Sequence, residues 1–262
     1  MWHKRRKDKL KKWVAKLVTI TDIGDLDTQL GVDYVLEEDE LGKYFECSMN
    51  KYISECVSEF EKHVGKEMSN KQKPAAPGSN LLKNTEETMD QSGYRKFVGK
   101  LLFAVKKVLP DTSNAVREMS MHLENPGKEA WKAVARAMGY LKFNYRPLKL
   151  RTPLKLNAGG YVDSDWASDR NDRRSTTSYL TVVGEKSLVN WQSKKQKTVA
   201  LSSTEAELYA ESNAAQDIMF ENNMLSEILG RENPRNLVCC REIIWGPYSW
   251  PEIFLLVRGP ST

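Results

Sequence analysis

No stretch of the chain approaches the roughly 20 consecutive apolar residues that a membrane-spanning helix needs, so no membrane partner is expected. The start, Met1-Trp2-His3-Lys4-Arg5-Arg6-Lys7, is followed by no apolar run of the kind a secretory signal requires. Cysteine is scarce, limited to Cys47, Cys56, Cys239 and Cys240. Cys47 and Cys56 form no close pair, and two adjacent cysteines grip one zinc poorly. Reduced thiols are therefore expected, in an intracellular protein that is cytoplasmic or nuclear and not secreted. Internal repeats and low-complexity tracts are also missing, which excludes solenoids and repeat arrays.

What is present fits a packed, globular chain. Its 262 residues allow one large domain or two small ones, and 40% are apolar, enough for a core. Charged residues make up 29% and the net charge is +5, a mild basicity compatible with a nucleic-acid partner but not specific to one.

Periodicity divides the chain. Residues 4–16 are strongly basic, with Leu10, Trp13, Val14 and Leu17 at helical spacing. A solvated helix face, a phosphate-contacting helix and a nuclear-localisation patch are all open readings. Two short β-rich runs, at 32–36 and 43–47, flank an acidic turn ending at Gly42 and predict a hairpin. Asn50 is placed to cap a helix that Gly65 ends, with Ile53, Cys56, Val57 and Phe60 on one face. Residues 71–92 hold Pro74, Pro77 and Gly78 among polar residues and form the best linker. Three helical segments follow: 94–109, broken by Pro110; 111–123; and one opened by Asn125-Pro126-Gly127 and running to about 143. Beyond Pro153 the period turns toward alternation. Segments 160–166, 178–183 and 187–192 predict a three-stranded antiparallel meander, and 202–229 a long helix stopped by Gly230.

Carboxylates gather in this last part. Asp163 and Asp165 share one face of the first strand, with Asp169 just beyond. Glu205 and Glu207 stand at the start of the long helix. Hydrolysis of a phosphodiester by two metal ions needs several converging carboxylates, and Mg²⁺ favours such oxygen ligands. Each acid also has a local explanation. Ser202-Ser203-Thr204-Glu205 is a capping box that accounts for Glu205, and Thr204 to Glu207 repeats its spacing. Asp165 and Asp169 also read as turn and surface residues.

Several motifs then carry a resemblance. Tyr161-Val162-Asp163-Ser164-Asp165-Trp166-Ala167-Ser168-Asp169, Asp172-Arg173-Arg174-Ser175-Thr176-Thr177-Ser178-Tyr179, Asn190-Trp191-Gln192-Ser193-Lys194-Lys195-Gln196 and Thr198-Val199-Ala200-Leu201-Ser202-Ser203-Thr204-Glu205-Ala206-Glu207 occur in order. Together they resemble the ribonuclease H domain of copia-type retrotransposon Pol polyproteins. Upstream, Thr21-Asp22-Ile23-Gly24-Asp25-Leu26 resembles the segment that follows the family's polymerase active site, Tyr94-Arg95-Lys96-Phe97-Val98-Gly99-Lys100-Leu101-Leu102 resembles the start of its linking region, and the run from Asn125-Pro126 through Trp131 to Lys142 continues that likeness. Roughly residues 15–230 are covered.

The resemblance implies an α+β architecture: a helical N-terminal half with a small β-hairpin, then a partial ribonuclease H-like fold of a three-stranded antiparallel meander plus a long helix. Residues 1–73 would be a reverse-transcriptase remnant, 74–93 a linker, 94–157 a helical connection, 158–230 the ribonuclease H-like domain and 231–262 a divergent tail. It implies Asp163 and Glu207 as catalytic, metal-ligating residues, Asp165 as a weaker ligand, Mg²⁺ or Mn²⁺ as cofactor and an RNA–DNA hybrid or other nucleic acid as partner. Lys194, Lys195, Lys197 and Trp191 would lie near the hybrid.

Two departures weigh against activity. The sequence has no Asp-Asp pair, so the family's polymerase motif is missing and polymerase activity is not expected. The family's third metal-ligating aspartate ends a strand after the long helix. Here 236–240 could be that strand, but Arg241 holds the position, with Glu242 next. Loss of the fourth strand would also deprive Leu208, Ile218 and Leu225 of core partners. An inactive Pol-derived fragment is the leading expectation. A non-catalytic binding module for nucleic acid or protein and a weakly active ribonuclease H are the alternatives.

Overall fold

The computed structural model describes residues 2–21, 24, 27–76, 80–151, 157–184, 187–229 and 240–242; side chains at 2–7, 10 and 240–242 lie outside that description. The tail beyond 242, Gly230, the 236–239 part of the expected strand, and most of the Thr21–Leu26 motif fall outside it as well.

A basic helix, α1 (Trp2–Leu17), comes first. Its expected apolar stripe stays open to solvent, with Trp13 60% and Leu17 64% exposed. The predicted hairpin forms as β2 (Val32–Asp39) and β3 (Gly42–Ser48), turning at Gly42, whose φ of 102° suits glycine. It is not a lone hairpin. A short β1 (Thr28–Gln29) pairs with β2, and β4 (Leu148–Arg151) pairs with β3, giving a four-stranded antiparallel sheet in the order β1-β2-β3-β4. Residues 148–151 were expected within the helical connection; an unpaired edge on β3 captures them instead.

Between β3 and β4 lie the helices α2 (Asn50–Val64), α3 (Gln91–Val105), α4 (Ser113–Ser120) and α5 (Lys128–Asn144), with a single 3₁₀ turn at Pro110–Thr112. The cap of α2 is Met49, with no side-chain bond, so Asn50 is the first helical residue rather than the cap. Gly65 ends α2 at φ 65°, as expected. Helix α3 starts before the expected linker ends, because Asp90 caps it by accepting the Gly93 N–H at 2.9 Å. Pro126 sits one residue before the α5 cap, Gly127, not at the first helical position.

The expected linker is pinned to the surface over its described part. Asn80 donates to Ser168 O at 2.9 Å, Leu81 N–H to Glu118 Oε1 at 2.5 Å, Lys83 N–H to Asn171 Oδ1 at 3.0 Å, and Met89 N–H to Pro126 O at 3.0 Å. These bonds satisfy backbone groups that a free linker would leave to water.

The expected meander is β5 (Ala158–Asp165), β6 (Thr176–Val183) and β7 (Ser187–Lys195), and α6 (Ser203–Leu229) packs on it. A fourth strand is present after all. β8 (Cys240–Glu242) lies parallel to β5, with Tyr161 opposite Arg241 and Val162 opposite Glu242, so the order is β7-β6-β5-β8. Ile218 is fully buried against the sheet, contrary to the expectation that it would lack partners; Leu208 remains exposed.

The two parts share one core. Leu180, Val182 and Leu188 from the second sheet join Phe60, Tyr94, Phe97, Val116, Val134 and Met138 of the helices in a single cluster. Leu180, Val182 and Leu188 of the second sheet are therefore covered by the helical region. Cys47 and Cys56 are free and buried, and burial pushes each thiol up to about 11, which keeps them protonated and inert.

Candidate active site and its surroundings

Strand β5 positions the first carboxylates. Ala158, Gly160, Val162 and Ser164 alternate as its α6-facing side, so Tyr161, Asp163 and Asp165 share the other. The helix comes close here: a Cβ on Gly160 would meet Leu180 O at 2.8 Å and Ile218 Cδ1 at 3.0 Å. Small residues on α6 permit that approach. Ala206, Ala210 and Ala214 recur every four residues and are buried.

The start of α6 is fixed by its capping box. Ser202 Oγ accepts the Glu205 N–H at 3.1 Å and Glu205 Oε2 accepts the Leu201 N–H at 2.7 Å. Glu205 is thus occupied locally. Glu207, two residues on, reaches the strand, where Ser164 N–H donates to its Oε1 at 3.3 Å. Burial raises the Glu207 carboxyl most, the Ser164 contacts oppose, and the charges of Asp163 and Glu211 add to the rise. The structure thus brings Glu207 to the strand position between Asp163 and Asp165.

Asp165 is raised by desolvation first and by Asp163 second, while Arg117 and a bond to Ser168 pull the other way. Arg117 belongs to α4, and burial lowers its guanidinium against the opposing charges of Glu118, Asp169 and Asp165. Nothing in the sequence marks Arg117, since it meets β5 only through the docking of two distant segments. It brings a cation close to Asp165, the weaker of the implied ligands. Among the described residues, no group of three or more His, Cys, Asp or Glu side chains is arranged to hold a metal ion.

The expected hybrid contacts divide. Lys195 is not free: its Nζ lies 2.5 Å from Asp169 Oδ2 and 2.6 Å from Asp172 Oδ2. Trp191 bolts β7 to α3, its indole N–H donating to Val105 O at 2.9 Å. Lys194 and Lys197 are exposed. Gln196, unmarked in the sequence, is buried between them and donates to Thr177 Oγ1 and Ala206 O, both at 3.0 Å, tying the strand end to α6. A groove of about 720 Å³ opens between the first sheet, α3, α4 and β7, and Lys106, Lys107, Arg117 and Lys194 line it beside Tyr34 and Trp191. Sequence spacing could not assemble that set, because its members come from four separate parts of the chain: β2, the end of α3, α4 and β7.

Comparison with known proteins finds retrotransposon Pol polyproteins. The chain is 31% identical over 242 residues to the Retrovirus-related Pol polyprotein from transposon TNT 1-94 of Nicotiana tabacum, spanning 88% of this chain and 18% of that protein. It is 32% identical over 184 residues to the Retrovirus-related Pol polyprotein from transposon RE1 of Arabidopsis thaliana, spanning 69% of this chain and 12% of that one. This chain is homologous to copia-type retrotransposon Pol polyproteins. It spans under a fifth of the length of the two relatives just described. A segment of 128 residues, 48% of this Pol homologue, is also 37% identical to the Secreted RxLR effector protein 161 of Plasmopara viticola, covering 89% of it. No family model and no solved structure matches the chain. Among the described residues, no helix is long and apolar enough to cross a membrane.

Proposed function

We propose that the chain is a Pol-derived fragment whose second sheet and α6 form a ribonuclease H-like unit that retains two ancestral site residues, Asp163 and Glu207, without the capacity to cleave. The observation that carries the reading is the meeting of Glu207 with β5 at Ser164, beside Asp163, with Arg117 approaching Asp165 and no third ligand gathered among the described residues. Two carboxylates hold hydrated Mg²⁺ ions weakly. Asp163 and Glu207 would then act as structural polar groups of the strand and helix junction.

The test is cleavage of a labelled RNA–DNA hybrid by the purified chain with Mg²⁺ or Mn²⁺, beside an Asp163→Asn control. Folded protein, verified by circular dichroism, should cleave no more than the control. Cleavage that disappears in Asp163→Asn would overturn the reading and identify an active ribonuclease H.

The basic groove favours a second role, binding of nucleic acid without catalysis. Cations from the end of α3, from α4 and from β7 line one channel, an arrangement suited to phosphates. Affinity for a hybrid should fall steeply with salt, and Lys106→Ala combined with Lys107→Ala should flatten that dependence. Affinity indifferent to salt would exclude it.

A further inference from the structure

At the opposite end of the second sheet from Asp163, a cavity of about 590 Å³ opens between the later turns of α6 and strands β4, β6 and β7. Its walls are mainly apolar, formed by Leu150, Val183, Val189, Phe220, Met224 and Leu225. Two carboxylates interrupt them. Asp217 and Glu221, one helical turn apart on α6, both line the cavity. Glu221 is only 7% exposed. Its Oε1 accepts from Thr181 Oγ1 at 2.6 Å, and its Oε2 is buried with no hydrogen-bond partner. Asp217 Oδ2 accepts from Tyr179 OH at 2.5 Å and from Asn190 Nδ2 at 2.9 Å.

An orphaned carboxylate oxygen in an apolar wall is costly, and the cost is relieved by a proton or by a cation. Burial raises the Glu221 carboxyl most and the charge of Asp217 adds to the rise, while bonds from Thr181 and Asn190 pull the other way. Arg151, a lining residue, is engaged elsewhere: both of its terminal nitrogens are bonded to Asp39, the closer at 2.5 Å. Access is open, because Phe220, Met224 and Val189 are exposed at the rim. The site needs a ligand with one positive head and a hydrocarbon body.

We propose that this cavity binds a small organic monocation of the alkylammonium class, its head between Glu221 and Asp217 and its chain along Phe220, Met224 and Leu225. An ammonium supplies three donors to the carboxylates that line the cavity, Glu221 and Asp217, and the apolar body displaces water from the walls. The site is distinct from the Asp163–Glu207 region and does not depend on the ribonuclease H reading.

Calorimetric titration of the full chain with n-octylammonium, n-octanol and n-octanoate tests this. The amine should bind measurably tighter than the other two, and Glu221→Gln should weaken it about tenfold or more, the loss of one charged hydrogen bond. Asp217→Asn and the exposed-wall variant Phe220→Ala should each weaken it a few-fold; they carry the test if Glu221→Gln fails to show native circular dichroism. Equal binding of octanol, preference for octanoate, unchanged affinity in folded Glu221→Gln, or no amine binding would each overturn the proposal.

Discussion

Lys195 Nζ lies 2.5 Å from Asp169 Oδ2, with the two side chains only 13% and 12% exposed. Asp172 completes the clamp from the same loop. Burial acts to raise the Asp169 carboxyl, but bonds from Lys195 and Asn171 outweigh it and hold it below the ordinary range. A lysine that sequence pattern places among phosphate contacts is therefore an anchor for the 169–172 loop. Removing one member of such a pair leaves the other charge uncompensated. Lys195→Ala should lower unfolding stability by about 3 kcal/mol in urea titration, whereas the exposed Lys194→Ala and Lys197→Ala should stay within about 0.5 kcal/mol of wild type.

The same three variants separate structure from binding. If the chain binds hybrid, Lys194→Ala should reduce the slope of log affinity against log salt by about 1, the release of one phosphate contact. Lys195→Ala, at a temperature where it is folded, should leave that slope unchanged. Filter binding across a salt series reads both.

Trp191 is predicted to matter for stability and not for stacking on bases. Trp191→Phe keeps an aromatic ring on β7 but removes the donor to Val105 O, leaving that carbonyl unmet beside the core. The expected loss is about 1 kcal/mol, with hybrid affinity unaltered.

Acid should loosen the first sheet through β4. The Arg151 guanidinium, bonded to both oxygens of Asp39, holds that carboxyl down at about 2, with smaller help from the Leu41 N–H. A depressed folded value means the contribution is fully present above the ordinary aspartate range and disappears as pH falls toward about 2. Arg151→Met should therefore be less stable than wild type at neutral pH, and the gap should close on acidification. A gap that widens as pH falls would contradict this assignment.

The capping box at the head of α6 gives the last prediction. Ser202→Ala or Glu205→Ala should each cost about 1 kcal/mol, because a backbone N–H at the helix start loses its acceptor. Glu207→Gln, whose role is a contact across to Ser164, should shift the pH dependence of stability without fraying the helix start, which hydrogen exchange at residues 203–206 would register.

The local features of the fold were legible in the residues. The strands expected over 160–166 and 178–183 and the helix over 202–229 form close to those bounds, and Ser202 with Glu205 marks where the helix begins. Each depends on neighbours within one or two turns, and such patterns are written in sequence order. The placing of Asp163 and Asp165 on one face follows from the same rule.

Contacts between distant segments were not legible. The capture of 148–151 by β3, the pairing of β8 with β5, the approach of Arg117 to Asp165, the clamp on Lys195 and the unpartnered oxygen of Glu221 each need two parts of the chain to meet. A lysine looks the same in sequence whether it faces a phosphate or an aspartate. Its partner is set by packing, and packing is decided by which dry surfaces the whole chain can cover at once. The sequence by itself therefore determined the elements and the faces on which the acids stand; only the tertiary structure decided which charges meet, because charge pairing depends on distance through space rather than along the chain.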